Sequence, residues 1–143
     1  MKKLFLVALL GLFAVTIQAQ NGTAAYLPLV AGDTIVNTGT VSKALPGITT
    51  SLGGLVIQTN LVKVSGTGAG TAQLQAALDS TSQNWTNVGS AYTITNVASQ
   101  TTTFYVAAPV AVYYRLLFTG SGTEAVQVKV AYVFRKYATV QTY

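Results

Sequence analysis

The chain has three acidic side chains, Asp33, Asp79 and Glu124, and neither histidine nor cysteine. That inventory bounds its chemistry. Without histidine the commonest general base and metal ligand is missing. Without cysteine there is no thiol nucleophile, thiolate ligand or disulfide. Acid–base work by paired carboxylates needs two of them within several ångströms, and these three are well separated along the sequence. An acid and a large aromatic come close in one stretch, AALDSTSQNWTNVG (76–89), where Asp79 stands six positions before the single tryptophan, Trp85. Such a pair suits a catalytic cleft, a sugar platform or a turn between strands. DSTSQN is rich in side chains that hydrogen-bond their own backbone in turns. The favoured reading is therefore the turn, with Asp79 capping it and the indole folded onto the edge or core of the domain.

The glycine run GTGAGT (66–71) lacks the spacing of a dinucleotide cradle and the Lys-Ser/Thr pair of a phosphate loop, so it reads as a hairpin loop. No loop clusters acidic ligands as a calcium site does. The expectation is a protein that is not an enzyme, with no catalytic residues, no metal site and no cofactor.

Charged residues make up 8% of the chain, against about 25% in ordinary soluble domains, while hydrophobic residues reach 50%. Much of the remainder is Thr, Ser, Gly, Asn and Gln, a surface solvated by hydroxyls and amides that suits an extracellular or virion protein. The formal charge is +5, of which Lys2 and Lys3 belong to the leader. Arg135-Lys136 is the one remaining basic cluster, too small for a phosphate-binding stripe, so nucleic acid is not an expected partner.

The first residues, MKKLFLVALLGLFAVTIQAQ, place two lysines before an apolar run from Leu4 to Ile17 and a short polar end. These are the regions of a secretory signal peptide. The apolar run is shorter than the ~20 residues that span a bilayer. Residues 1–19 are read as a signal peptide cut after Ala19, or else as an uncleaved apolar helix that anchors the protein to a membrane or an assembly. The product is expected outside the cell or at its surface, or in a virion.

From residue 20 onward the apolar pattern has period two, the signature of half-buried strands. In 124–136, Val126, Val128, Val130, Tyr132 and Phe134 share one face. In 110–118, Val112, Tyr114, Leu116 and Phe118 do the same, and TGSGT (119–123) between the two predicts an antiparallel hairpin. Residues 54–66 predict one long strand, bent or bulged near Thr59-Asn60, with 71–78 pairing back onto it. Strands over 91–97 and 102–109 predict a further pair, and 33–45 one or two edge strands around a turn at Asn37-Thr38-Gly39. Seven to nine such strands in residues 20–143 indicate an all-β domain, a single antiparallel β-sandwich, jelly-roll-like, behind an apolar leader helix.

Eight tyrosines are spread along these strands. Tyrosine gives rigid amphipathic contact area and serves interfaces as well as cores. Arg115, mid-strand between Tyr113 and Leu117, is positioned to stack on tyrosine or to reach a carbonyl. The tail KYATVQTY (136–143) is β-compatible and suits strand addition to a neighbour. The candidate interface or ligand contacts are Trp85, Arg115, Tyr113, Tyr137 and Tyr143. The partners expected from them are copies of the chain in a homo-oligomer or larger assembly, or a glycan.

Several segments follow a recognisable order: Lys63, Ser65, Gly66 and Thr67 close a strand; Leu74, Gln75, Leu78, Asp79 and Trp85 follow; then Tyr113, Tyr114 and Arg115 within a strand; then Gly120, Gly122 and Thr123 before the last strand. Over roughly residues 32–136 this resembles a small domain in structural proteins of tailed phages, particularly crAss-like and other phages of Bacteroidetes. The pattern departs from that domain where DSTSQN replaces a shorter Asp-Gly turn, and the leader looks like that of an exported Bacteroidetes protein. The resemblance implies a β-sandwich capsid-decoration, head-fibre or tail-associated subunit without catalytic residues. The expected function is that of a non-enzymatic structural subunit of a virion or extracellular surface assembly. The alternative is a secreted carbohydrate-binding or adhesion module, for which Trp85 must be open to ligand beside polar groups.

Overall fold

The computed structural model describes residues 25–26, 33–48, 52–79 and 84–136. The leader 1–19 and the tail with Tyr137 and Tyr143 lie outside the described residues, so the leader helix and the tail strand are expectations about segments beyond them. Within the described residues the chain forms strands β1 (Ala25–Tyr26), β2 (Thr34–Val36), β3 (Thr40–Ala44), β4 (Leu52–Ser65), β5 (Gly70–Ala77), β6 (Thr86–Asn87), β7 (Tyr92–Ile94), β8 (Ser99–Val106), β9 (Tyr113–Gly120) and β10 (Ala125–Lys136).

These strands build two antiparallel sheets that pack against each other. The first runs β1-β10-β4-β8, with β2 also paired to β10; the second runs β3-β9-β5-β6, with β7 also paired to β5. Alternation along each strand sends one set of side chains inward. Leu55, Ile57 and Leu61 of β4 and Val126, Val128 and Val130 of β10 form one core with Leu74 of β5 and Tyr114, Leu116 and Phe118 of β9. Tyr132 and Phe134 extend it, their ring centroids 5.0 Å apart in a tilted arrangement. β-Branched and aromatic residues at alternate positions fit a pleated surface buried on one side. The period-two reading of 124–136 matches the observed inward face, and that of 110–118 matches at Tyr114, Leu116 and Phe118 but not at Val112, which precedes the strand and is outside the core.

The pairing differs from the sequence expectation at three places. β9 and β10 are not a hairpin: β9 lies between β3 and β5 in the second sheet, and β10 pairs with β4, β2 and β1 in the first. β5 does not pair back on β4 but on β9. The third expected pair is split as well, with β7 on β5 and β8 on β4. Each connection crosses from one sheet to the other. Packed sheets lie ~10 Å apart, a gap that a four-residue link spans in extended form. The strands on either side therefore face each other through the core. From β2 onward every connection crosses in this way except β5–β6–β7, which stays in the second sheet.

β4 pairs in unbroken register with β10 and β8 through Thr59-Asn60, so the expected bulge is absent there. Its pairing with β10 is irregular at the two ends instead, where the register shifts between Ala125 and Val126 and between Arg135 and Lys136. The expected turn at Asn37-Thr38-Gly39 is present, with Asn37 at φ 50, a left-handed conformation that asparagine tolerates.

Candidate functional site

The three acids do not converge. Asp33, just ahead of β2, is buried, and its Oδ2 lies 2.8 Å from Nζ of Lys43, which β3 holds inward between Val41 and Leu45. This ion pair ties the two sheets together from inside. Glu124, between β9 and β10, is 2% exposed, and among the described residues neither of its carboxyl oxygens has a hydrogen-bond partner. It fits against Gly120 and Gly122: a Cβ on Gly120 would lie 2.6 Å from Glu124 Oε1 and 2.0 Å from the Asn37 carbonyl oxygen, and a Cβ on Gly122 would lie 2.4 Å from Oε2 and 2.3 Å from the Thr67 carbonyl oxygen. Asp79 is exposed beyond the other end of β5, a strand whose eight residues span roughly 25 Å. No two of the three are arranged as an acid–base pair. Among the described residues no group of three or more acidic side chains stands together as a metal-ligand cluster.

The side chains that do converge lie on the outer face of the second sheet. β5 and β9 pair with Gln75 opposite Arg115, and β5 and β6 pair with Gln75 opposite Asn87. Arg115 Nε donates to Gln75 Oε1 at 2.8 Å, and Gln75 Nε2 donates to Asn87 Oδ1 at 2.9 Å. The guanidinium carbon of Arg115 sits 4.2 Å from the ring centroid of Trp85, which precedes β6. The row therefore reads tryptophan over arginine, arginine to amide, amide to amide. Partial burial under the indole lowers the pKa of Arg115 from its ordinary value through desolvation, and a guanidinium stays cationic despite such a shift. Contacts of this kind contribute about 0.5–1 kcal/mol at exposed sites.

This geometry places three of the five sequence candidates. Trp85 and Arg115 are in direct contact. Tyr113 lies two residues from Arg115 on the same strand face, and its ring sits against Gly47, where an added Cβ would be 3.0 Å from Cε1. Tyr137 and Tyr143 lie outside the described residues. Arg115 stacks on tryptophan and bonds a glutamine amide, where the sequence suggested tyrosine or a backbone carbonyl. The reason is pairing: β5 and β6 bring Gln75 and Trp85 beside a residue 40 and 30 positions away, which no local pattern announces. Asn87 was missed for the same cause.

Trp85 is half-buried, with one face covered by the guanidinium. Next to this row, where β5 ends, an open cavity of about 510 Å³ is lined by Ala76, Ala77, Leu78, Asp79, Asn84 and Thr86, together with Ala111. Among the described residues its side-chain hydrogen-bonding groups are those of Asp79, Asn84 and Thr86, and Leu78 in its lining is among the most exposed apolar side chains.

No protein-family model matches the sequence, and no curated protein matches it.

Proposed function

We propose that the protein is a non-enzymatic structural subunit, exported or carried in a virion, that works by self-association or by decorating a larger assembly. The observation that carries this reading is the strand connectivity. Eight positions, β2, β3, β4, β5, the β6/β7 pair, β8, β9 and β10, divide between two sheets ordered β2-β10-β4-β8 and β3-β9-β5-β6/β7, the chain changing sheet at every step except from β5 to β6/β7. That order is the double Greek key of a jelly roll, an architecture of viral capsid and lectin domains. A surface of hydroxyl and amide side chains and the resemblance to phage structural domains support the same reading. Residues 1–19 then serve as a removable export signal. Purification of the native protein from its source, with mass-resolved sizing, tests the proposal; a large homogeneous assembly is the expected result.

One observation favours a second reading, a secreted carbohydrate-binding module. The row of Trp85, Arg115, Gln75 and Asn87 offers a partly open indole beside a cation and two amides, next to a cavity holding Asp79 and Asn84. Binding sites combine apolar contact with a few placed polar groups in this manner. A glycan array probed with the wild-type chain and with Trp85→Ala tests it: binding that the substitution abolishes favours the module.

A further inference from the structure

Each sheet has two edges, and a bare edge strand is a template for pairing with another chain. Three of the four are blunted. β1 and β2 cover the far side of β10 with two and three residues. β6 and β7 are two and three residues long, with Gly89 between them. β3 is five residues long, turns Lys43 inward to Asp33, and runs into Pro46. β8 is different. It is eight residues long, SQTTTFYV, with no charge, proline or glycine, and it pairs with β4 over its whole length. Among the described residues nothing pairs with its other side.

We propose that the β8 edge is one self-association interface of this protein, joining two copies by antiparallel β8–β8 pairing about a two-fold axis. This rests on the assembly reading above and names its contact surface. A second copy fits better than a foreign strand because a two-fold contact sets each residue near its own counterpart, so any charge on the edge would face its like. Without the two leader lysines the chain has six basic and three acidic residues, and β8 carries none of them. Lys63 of β4, whose backbone N–H donates to the Ala98 carbonyl just ahead of β8, has its ammonium on Asn96 Oδ1 at 3.0 Å. The alternation along β8 suits such pairing. Thr101, Thr103 and Tyr105 point to the outer face and Thr102, Phe104 and Val106 toward the core, so a two-fold at Thr102 or Thr103 keeps inward residues opposite inward ones. Outer-face pairs are then Thr with Thr, and Tyr105 with Ser99 or Thr101 of the second copy. Threonine–threonine and aromatic–threonine pairs favour antiparallel ladders. Tyr105, 62% exposed, gains cover that it lacks in one copy.

The test is sedimentation of the full chain, of Thr103→Lys and of a chain truncated after Lys136. Thr103 is exposed, so the lysine leaves the fold intact, verified by circular dichroism, while setting two cations near each other across the axis. Expected are an associated wild type, an associated truncated chain, and at least a tenfold weaker self-association for Thr103→Lys. A wild type that assembles but ignores Thr103→Lys overturns the β8 interface and leaves the assembly reading standing. A truncated chain that dissociates puts the tail of a neighbour on the edge instead and overturns β8–β8 pairing. A wild type that stays monomeric overturns both.

Discussion

The ammonium of Lys43 and the carboxylate of Asp33 meet at 2.8 Å between the two sheets, with both side chains largely shut off from water. A buried pair of this kind is costly to break from one side, because the remaining charge is stranded. Lys43→Met alone or Asp33→Ala alone is expected to destabilise by about 3–5 kcal/mol. The double variant Lys43→Met/Asp33→Ala is expected to lose less than the two single losses combined. Urea unfolding of the three variants gives the coupling directly.

Glu124 presents the opposite situation, a buried carboxyl whose oxygens have no donor among the described residues and which shares the space around Gly120 and Gly122 with the carbonyl oxygens of Asn37 and Thr67. Glu124→Gln supplies an amide N–H to such acceptors and is expected to raise stability by about 1 kcal/mol. Thermal unfolding under identical buffer conditions measures it, and a fall in midpoint would refute the description of the site.

Gly122→Ala pushes a methyl group against that carboxyl and the Thr67 backbone. A loss of about 1–3 kcal/mol is expected from overpacking. Combined with Glu124→Ala, which empties the space, the alanine at 122 should cost less than it does alone.

Trp85 is the only tryptophan, so its fluorescence reports the stacking of Arg115 without interference. Arg115→Ala is expected to shift the emission to the red and to increase quenching by acrylamide, at a stability cost of about 1 kcal/mol or less. Arg115→Lys should restore the emission only in part, since an ammonium lacks the planar fork that stacks and bonds Gln75 together.

Much of the fold was legible in the sequence at the level of single strands. The alternation Val126, Val128, Val130 and the set Tyr114, Leu116, Phe118 identify inward faces because a half-buried strand repeats every two residues. Which strand lies beside which was not legible. A glycine-containing link such as TGSGT serves a hairpin within one sheet and an arch between two sheets equally well, and the local sequence carries no record of the choice. The site inherits that limit. Trp85 and Arg115 stood out by residue type, but their contact, and the roles of Gln75 and Asn87, follow from β9–β5–β6 pairing. Lys43 and Glu124 ran against pattern for a different reason. Burial of such a side chain depends on a partner or on space elsewhere in the chain, Asp33 in one case and two glycines in the other.

That this two-sheet β protein is an assembly subunit is tested most directly by native mass measurement of the protein isolated from its source. A homogeneous multimer whose chains begin at Gln20 is expected. A monomer at every accessible concentration would contradict it.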